Sequence, residues 1–397
     1  MLQQARIDNS FQVRYNFPML FTADTFASNN PSLNHALGTS GNGASSRAGH
    51  HRCLVVIDQA VLAADATLLQ RINERFAIDP HLELAAAPIA ISGGECAKKD
   101  WAVVEQLGEV ARQTGLCRHS AIIALGGGAV LDAVGLAAAL IHRGVRLVRL
   151  PTTTLGQADA GLGVKNAINA FQAKNFFGTF VPPHAVINDS HFVPTLPDRQ
   201  WRCGLAEAIK VALIKDAAFF RQLVNATDKL AQRDEACMAW AIRESARLHL
   251  EHICGNGDPF ERGTSRPLDF GHWSAHWLEM QVQPAGSLLH GEAVAIGCAV
   301  DAWYAVEQGW LETSSAQDLC NFLKGIGFKL HHERLTNGWN TEGSWSLLSG
   351  LEEFRQHLGG QLTIAMPNSL GSVQDCFEID AEVLKRAIGK SRQSAET

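Results

Sequence analysis

From Cys53 onward, short runs of β-branched and aliphatic residues alternate with longer amphipathic ones, and this alternation constrains the chain more than any other feature. The order is LVVID, AVLAADATLLQRINERF, LELAAAPIAIS, DWAVVEQLGEVARQTG, SAIIALGGG, AVLDAVGLAAALIHRG and VRLVRLP. A short run that is apolar on both faces suits a strand covered above and below, and the longer runs repeat with helical periodicity. Alternation of this kind predicts an α/β domain built on a Rossmann-like parallel sheet. Past about Pro197 the runs lengthen, as in GLAEAIKVALIKDAAFFRQLV, CMAWAIRESARLHLEHI and LLHGEAVAIGCAVDAWYAVEQG, and predict a mainly helical second half. A chain of 397 residues accommodates both, so residues 1–197 are expected to form the α/β domain and residues 198–397 the helical one.

Four segments lie outside this frame. Phe11 to Phe21 reads as a strand, and the Ser/Asn/Gly/His-rich stretch from about Ala27 to His51 reads as a mobile surface loop with little to pack. Gln361 to Met366 and Val373 to Ile379 are short strand candidates before a last helix from about Ala381, and Ser391 to Thr397 reads as a frayed tail.

The formal charge of -6 gives no broad cationic field, which argues against a nucleic-acid partner. No apolar run approaches the roughly 20 residues that cross a bilayer, and the first residues lack the order of a secretory signal, so no membrane association and a cytoplasmic location are expected. The 9 cysteines contain no C-x-x-C pair and read as reduced thiols.

In AIIALGGGAVLDAVG, Gly126, Gly127 and Gly128 fall between a buried strand and a helix. Backbone amides without side chains can approach a pyrophosphate there, with the positive end of the helix facing the anion. The spacing is not G-x-G-x-x-G, so the glycines alone leave a tight turn and a phosphate cradle equally open. Asp132 one turn into that helix, Asp58 at the end of LVVID, and Glu95 and Lys98 in SGGECAK add groups suited to a nucleotide.

The stretch RGVRLVRLPTTTLGQADAGLGVKNAINAFQAKNFFGTFVPPHAVIND is more polar than packing requires. Asp159, Lys165, Lys174 and Asn175 lie in it among small residues, and together they suit a phosphorylated ligand, although each lysine singly reads as a solvated surface charge. Further on, Glu207 in GLAEAIK, His272 in DFGHWSAHWLE and His290 in LLHGEAVA offer one carboxylate and two imidazoles. That set leaves open positions on zinc, as a catalytic site does, while cobalt or iron would also fit it. His272 and His276 are four apart and share a helix face, so either both are ligands or one acts on substrate.

These residues resemble the 3-dehydroquinate synthase family of sugar phosphate cyclases, relatives of the glycerol dehydrogenases. The resemblance runs from about Val55 to Ala387 through GGE with a lysine three residues on, GGG with Asp132, RGVRL, PTT, the Asp159 to Lys165 segment, AKNFFGTF, the TLP at Thr195, GLAEAIK, FGH and LHGEA. It implies Glu207, His272 and His290 as metal ligands. It also implies an NAD site lined by Glu95, Lys98, Gly126, Gly127, Gly128, Asp132, Thr152, Thr153 and Thr195, with Asp58, Asp159 and Lys174 as further candidates for that site. Asp159, Lys165, Lys174, Asn175 and Lys210 match substrate positions, with Arg266 and Asp269 beside them. Arg143 matches an arginine that reaches the phosphate of a neighbouring subunit, which implies a homodimer. Lys210, Glu261 and His276 match catalytic positions, the last two assigned to proton transfer. The implied chemistry on a phosphorylated sugar is transient oxidation by NAD, loss of phosphate, return of the hydride, and intramolecular aldol closure to a carbocycle.

The pattern also breaks. Aligned without gaps, the lysine and arginine that hold the substrate carboxylate in 3-dehydroquinate synthases fall on Glu251 and Ser265, an asparagine becomes Asp269, and a D-K-K motif becomes Phe354, Arg355 and Gln356. Arg266 would compensate if its loop shifted. A carboxylate facing Glu251 would meet repulsion, so the expected substrate is a sugar phosphate lacking that group, such as a seven-carbon ketose phosphate. The alternatives are 3-dehydroquinate synthase proper, a metal-dependent NAD alcohol dehydrogenase, and a non-catalytic ligand-binding relative.

Overall fold

A computed structural model describes residues 8–38, 50–171, 173–255, 258–263, 265–282, 287–339, 345–357 and 359–396. Its first half is the expected parallel sheet. Strands β1 (Met19–Thr22), β2 (His51–Asp58), β3 (Leu82–Leu84), β4 (Ile89–Ile91), β5 (Ala121–Gly126) and β6 (Arg146–Pro151) are joined by helices α1 (Ser32–Gly38), α2 (Gln59–Ala64), α3 (Leu68–Ile78), α4 (Ala102–Thr114) and α5 (Gly128–Leu140). A hairpin of β7 (Lys165–Ala170) and β8 (Ala173–Phe180) then stands apart from the sheet before β9 (Ala185–Asp189) rejoins it. The sheet order is β1-β9-β6-β5-β2-β3, with β4 also on β2 and every pairing parallel.

β5 is buried along its whole length and β2 nearly so, which is why their sequences are continuous apolar runs rather than alternating ones. Two long runs are divided. AVLAADATLLQRINERF becomes α2 and α3 because Asp65 takes an extended backbone and its carboxylate accepts the Thr67 N–H at 3.0 Å. LELAAAPIAIS becomes β3 and β4 on either side of Pro88, which has no N–H for a ladder.

Two readings of the N-terminal region are corrected. Only Met19–Thr22 of the stretch Phe11 to Phe21 and its surroundings is strand. The Ala27 to His51 segment is not simply a mobile loop: it contains α1, which buries Leu33, Ala36 and Leu37 in the same apolar cluster as β2. Residues 39–49 of that segment lie outside the described residues.

The second half is largely helical. Helices α6 (Asp198–Lys215), α7 (Ala217–Asn225), α8 (Thr227–Ala231), α9 (Glu235–Gly255), α10 (His272–Gln281), α11 (His290–Glu307), α12 (Thr313–Gly325), α13 (Leu347–His357) and α14 (Ala381–Glu396) surround a small antiparallel pair, β10 (Ile364–Ser369) and β11 (Ser372–Cys376). One apolar cluster runs through these elements from Val193 to Ile388. The expected frayed tail at Ser391 to Thr397 is corrected through residue 396: α14 continues there, and the fully buried Ser391 hydroxyl donates to the Leu330 carbonyl at 2.9 Å. No helix among the described residues is long and apolar enough to cross a membrane.

Candidate active site

Glu207 sits in the middle of α6 with no exposed surface, and two helix starts converge on it. His272 is the first residue of α10 and His290 the first of α11, and their Nε2 atoms lie 3.7 and 3.5 Å from Glu207 Oε1. Glycines permit the approach. A Cβ on Gly291 would lie 2.6 Å from the Cys203 carbonyl oxygen, so only glycine after His290 lets α11 reach α6. Gly271 has φ 77, and a Cβ there would lie 2.5 Å from Cys298 Sγ on α11.

Neither Glu207 oxygen receives a well-formed hydrogen bond, although Lys210 Nζ is 2.5 Å from Oε2. Burial alone would raise the Glu207 carboxyl, but Lys210 and the two imidazoles hold it well below the usual carboxylate range. His272 Nδ1 lies 3.1 Å from the Phe270 carbonyl oxygen, which commits its hydrogen there and turns the Nε2 lone pair toward Glu207. Burial, followed by the Lys210 charge, lowers its basicity. The His272 lone pair and the Glu207 carboxylate converge with His290 beside them, an arrangement that fits a divalent cation, and one carboxylate with two imidazoles suits zinc. For His290, burial opposes protonation, but the Glu279 and Glu207 carboxylates prevail and raise its pKa to about 10, so an ion binding there would displace a proton. The His276 ring stands 5.5 Å from that of His272 and 5.9 Å from that of His290, beside the three-residue group rather than in it.

The glycine turn is placed as a phosphate cradle would be. Gly126 ends β5, Gly127 is the N-cap of α5 and Gly128 its first residue, so the free N–H groups of the helix face outward from the carboxyl end of the sheet. The turn packs closely, since a Cβ on Gly128 would lie 3.1 Å from that of Ala160. Thr152 donates its backbone N–H to the Gly126 carbonyl at 3.0 Å, and Thr153 Oγ1 accepts from the Gly156 N–H at 3.0 Å. Lys98 pairs with Asp132 at 2.5 Å. Asp58 ends β2, accepts the Ala60 N–H at 2.9 Å, and is raised by burial. Thr195 is exposed and donates to the Phe192 carbonyl at 2.7 Å.

The polar hairpin carries its candidate residues toward the helical half. Lys165 on β7 lies 2.7 Å from Glu261 Oε1, and Arg266 Nε lies 3.9 Å from Glu261 Oε2. Burial would weaken the Lys165 charge, but Glu261 and Asp269 raise its pKa. Lys174 on β8 lies 3.2 Å from Glu279 and 3.7 Å from Glu95, while Asn175, in a left-handed conformation, donates its N–H to Asn169 Oδ1 at 2.9 Å. Arg143 lies on an exposed turn after α5 with φ 62, apart from these residues.

Several site residues escaped the sequence reading. Arg149 on β6 is fully buried and donates to the carbonyls of Gly163 (2.7 Å) and Lys165 (2.8 Å) and to Asn166 Oδ1 (2.7 Å), clamping the segment that leads to Lys165. Asp301 on α11 accepts from the Gly271 N–H at 3.0 Å and from Trp273 Nε1 at 2.9 Å, which fixes the start of α10. His249 on α9 is buried against Asp159, and Glu279 stands behind His290. Arg149 carried a faint signal, a second arginine inside a buried strand; the others look like ordinary helix residues.

The ungapped comparison at α9 is corrected. Glu251 points to solvent and pairs with Arg247 at 2.9 Å, because the buried face of α9 runs through Ile242, Ser245, Ala246 and His249. The half-buried His252 follows His249 by three residues, and burial and then Lys215 hold its pKa near 4. Ser265 likewise faces outward, donating to Asp375 at 3.0 Å.

Residues 88–203 match the family described as 3-dehydroquinate synthase N-terminal, and residues 204–347 that described as 3-dehydroquinate synthase C-terminal. A 2-epi-5-epi-valiolone synthase from Streptomyces glaucescens is 35% identical over 333 residues, which is 81% of this chain and 81% of that protein. A 3-dehydroquinate synthase from Halorhodospira halophila is 32% identical over 330 residues, covering 83% and 89%. Among solved structures, a 2-epi-5-epi-valiolone synthase from Streptomyces hygroscopicus subsp. jinggangensis with NAD+ and Zn2+ bound superposes with a TM-score of 0.81 and 27% identity over 98% of this chain and 99% of that one. A 2-deoxy-scyllo-inosose synthase complexed with carbaglucose-6-phosphate, NAD+ and Co2+ has a TM-score of 0.68 and 20% identity, covering 95% and 96%, a likeness of fold.

Proposed function

Because this chain belongs to the 3-dehydroquinate synthase family, we propose that it is an NAD- and metal-dependent sugar phosphate cyclase whose substrate lacks the carboxylate of the acid sugar. The observation that carries the cyclase reading is the gathering of Glu207, His272 and His290, with both Glu207 oxygens lacking a well-formed hydrogen bond, beside the buried Lys210. When bound, NAD would supply a reversible hydride acceptor and the divalent ion would supply electrostatic stabilisation of oxyanions.

The chain's own residues would bind, orient and move protons. The glycine turn at Gly126 to Gly128, with Asp58, Glu95, Lys98, Asp132, Thr152, Thr153 and Thr195, would hold the dinucleotide. Glu207, His272 and His290 would hold the ion. Lys165, Lys174, Asn175 and Arg266 would hold a phosphorylated sugar by charge-assisted contacts, and Asp159, Lys210 and Asp269 would orient its hydroxyls. Glu261 and His276 would transfer protons, Glu261 being placed for this by its contact with Lys165. Arg143 would reach the site of a second copy in a homodimer.

The substrate reading no longer rests on Glu251, which faces away. It rests on what α9 offers instead: Arg243 stacks over Phe21, Arg247 pairs with Glu244 and Glu251, His249 is buried behind Asp159, and the half-buried group left facing inward is His252. A neutral imidazole, the form in which burial and then Lys215 hold His252, suits a hydroxyl better than a carboxylate. The 2-epi-5-epi-valiolone synthases among the relatives point the same way. The 3-dehydroquinate synthase reading is supported by the relatives of that name and by the half-buried Arg266 beside Glu261.

Incubation with NAD, zinc and either a seven-carbon ketose phosphate or its carboxylate-bearing counterpart, followed by phosphate release, decides between them. Faster release from the neutral sugar is expected, and preference for the acid sugar overturns the substrate reading. NADH accumulating in step with product would mark an alcohol dehydrogenase instead.

A further inference from the structure

Glu279 is buried on α10, two helical turns beyond His272, and its two oxygens serve different parts of the molecule. Oε2 lies 3.4 Å from His290 Nδ1, the ring nitrogen on the far side from Glu207. Oε1 lies 3.2 Å from Lys174 Nζ, which arrives on β8 from the other half of the chain. With a side chain only 9% exposed, Glu279 has little water to solvate its charge, so that charge is divided between an imidazole and an ammonium.

We propose that Glu279 is a positioning residue that couples metal affinity to the Lys174 side chain, an inference that rests on reading Glu207, His272 and His290 as the metal ligands. A carboxylate behind a histidine ligand fixes the ring and makes its far nitrogen a better donor to the ion. The ammonium of Lys174 withdraws part of that effect, because it neutralises the same carboxylate. An anionic group that draws Lys174 toward itself therefore leaves Glu279 more negative toward His290 and tightens the ion, and a bound ion in turn favours release of Lys174 to the anion. Metal and anion sites in the two halves of the chain are thereby linked through one side chain.

The test is a double-mutant cycle read as zinc affinity, by titrating metal-free protein against a chromophoric chelator. E279Q is expected to weaken zinc by roughly 10 to 100-fold, the usual cost of losing such a partner. K174M is expected to tighten zinc severalfold in the natural background and to have no effect in the E279Q background, since non-additivity is the mark of a shared partner. Zinc affinity of E279Q within about twofold of the natural protein, or an equal K174M effect in both backgrounds, overturns the proposal. If the natural protein itself binds no zinc, the ligand assignment fails instead, and the two failures are distinguished by that first titration. Thermal melts of the metal-free variants check folding. Should E279Q not fold, E279D keeps the charge, shortens its reach and closes the same cycle with K174M.

Discussion

His249 Nε2 lies 3.3 Å from Asp159 Oδ1, and the same ring places Nδ1 2.8 Å from the Ser245 carbonyl one turn back on α9. The imidazole is 1% exposed and stands behind the Asp159 carboxylate, whose own side chain is 30% exposed. His249 therefore backs a group assigned to the substrate without occupying the pocket itself. Replacing it with alanine removes the ring behind Asp159, and a misplacement of about 1 Å can cost on the order of 100-fold. His249→Ala is expected to lower kcat/KM by roughly 10 to 100-fold. His249→Gln, which retains a polar group toward Asp159, is expected to recover part of that loss. Steady-state phosphate release checks this; kcat/KM within twofold of the natural enzyme would show that the ring only fills space.

Glu207→Gln separates the two roles of that carboxylate. Zinc binding should be lost, and in the metal-free protein the buried Lys210 should lose its nearest counter-charge. Breaking a buried pair in this way costs about 3 to 5 kcal/mol. The denaturant midpoint of the metal-free variant, compared with metal-free natural protein, measures that cost; an unchanged midpoint contradicts the assigned pairing.

Glu251→Lys tests the orientation of α9. Glu251 and Arg247 are an exposed pair, so the substitution should change stability by less than about 1 kcal/mol. It should also leave the preference between neutral and acidic sugar phosphates where it was, because the side chain points to solvent. A shift toward the acidic sugar would mean that residue 251 reaches the pocket after all.

Asp301 predicts a pH dependence of stability. Complete burial raises its pKa from 3.8 to about 7, against the opposing hydrogen bonds from Trp273 and Gly271. Between these values the folded protein holds a proton that the unfolded chain has lost, so stability falls as pH rises across the window from about 4 to 7. At about 1.4 kcal/mol per unit, the full effect is roughly 4 kcal/mol. Asp301→Asn should flatten this part of the stability profile, measured by denaturant unfolding at several pH values. An equal slope in both proteins would rule Asp301 out as its source.

Much of the fold was legible because backbone preference and burial are local or periodic. LVVID and SAIIALGGG had to be strands covered on both faces, and the runs from GLAEAIK onward had to be helices. α1 was missed because only Leu33, Ala36 and Leu37 carry its packing within a polar stretch, and the C-terminal extension of α14 because Ser391 is held by a hydrogen bond to Leu330, 61 positions away.

The sequence by itself determined which donor types were available to the site: one carboxylate and two imidazoles in motifs flanked by glycine, and a glycine turn after a buried strand. Tertiary structure alone decided which of them meet and which way α9 faces. Chemical identity belongs to a residue wherever it lies, whereas direction depends on helical phase, and each residue along a helix turns its side chain by about 100°. A change of one or two positions therefore separates the outward Glu251 from the inward His249, and a carboxylate behind His290 is distinguished from any other glutamate only when α10 and α11 are packed together.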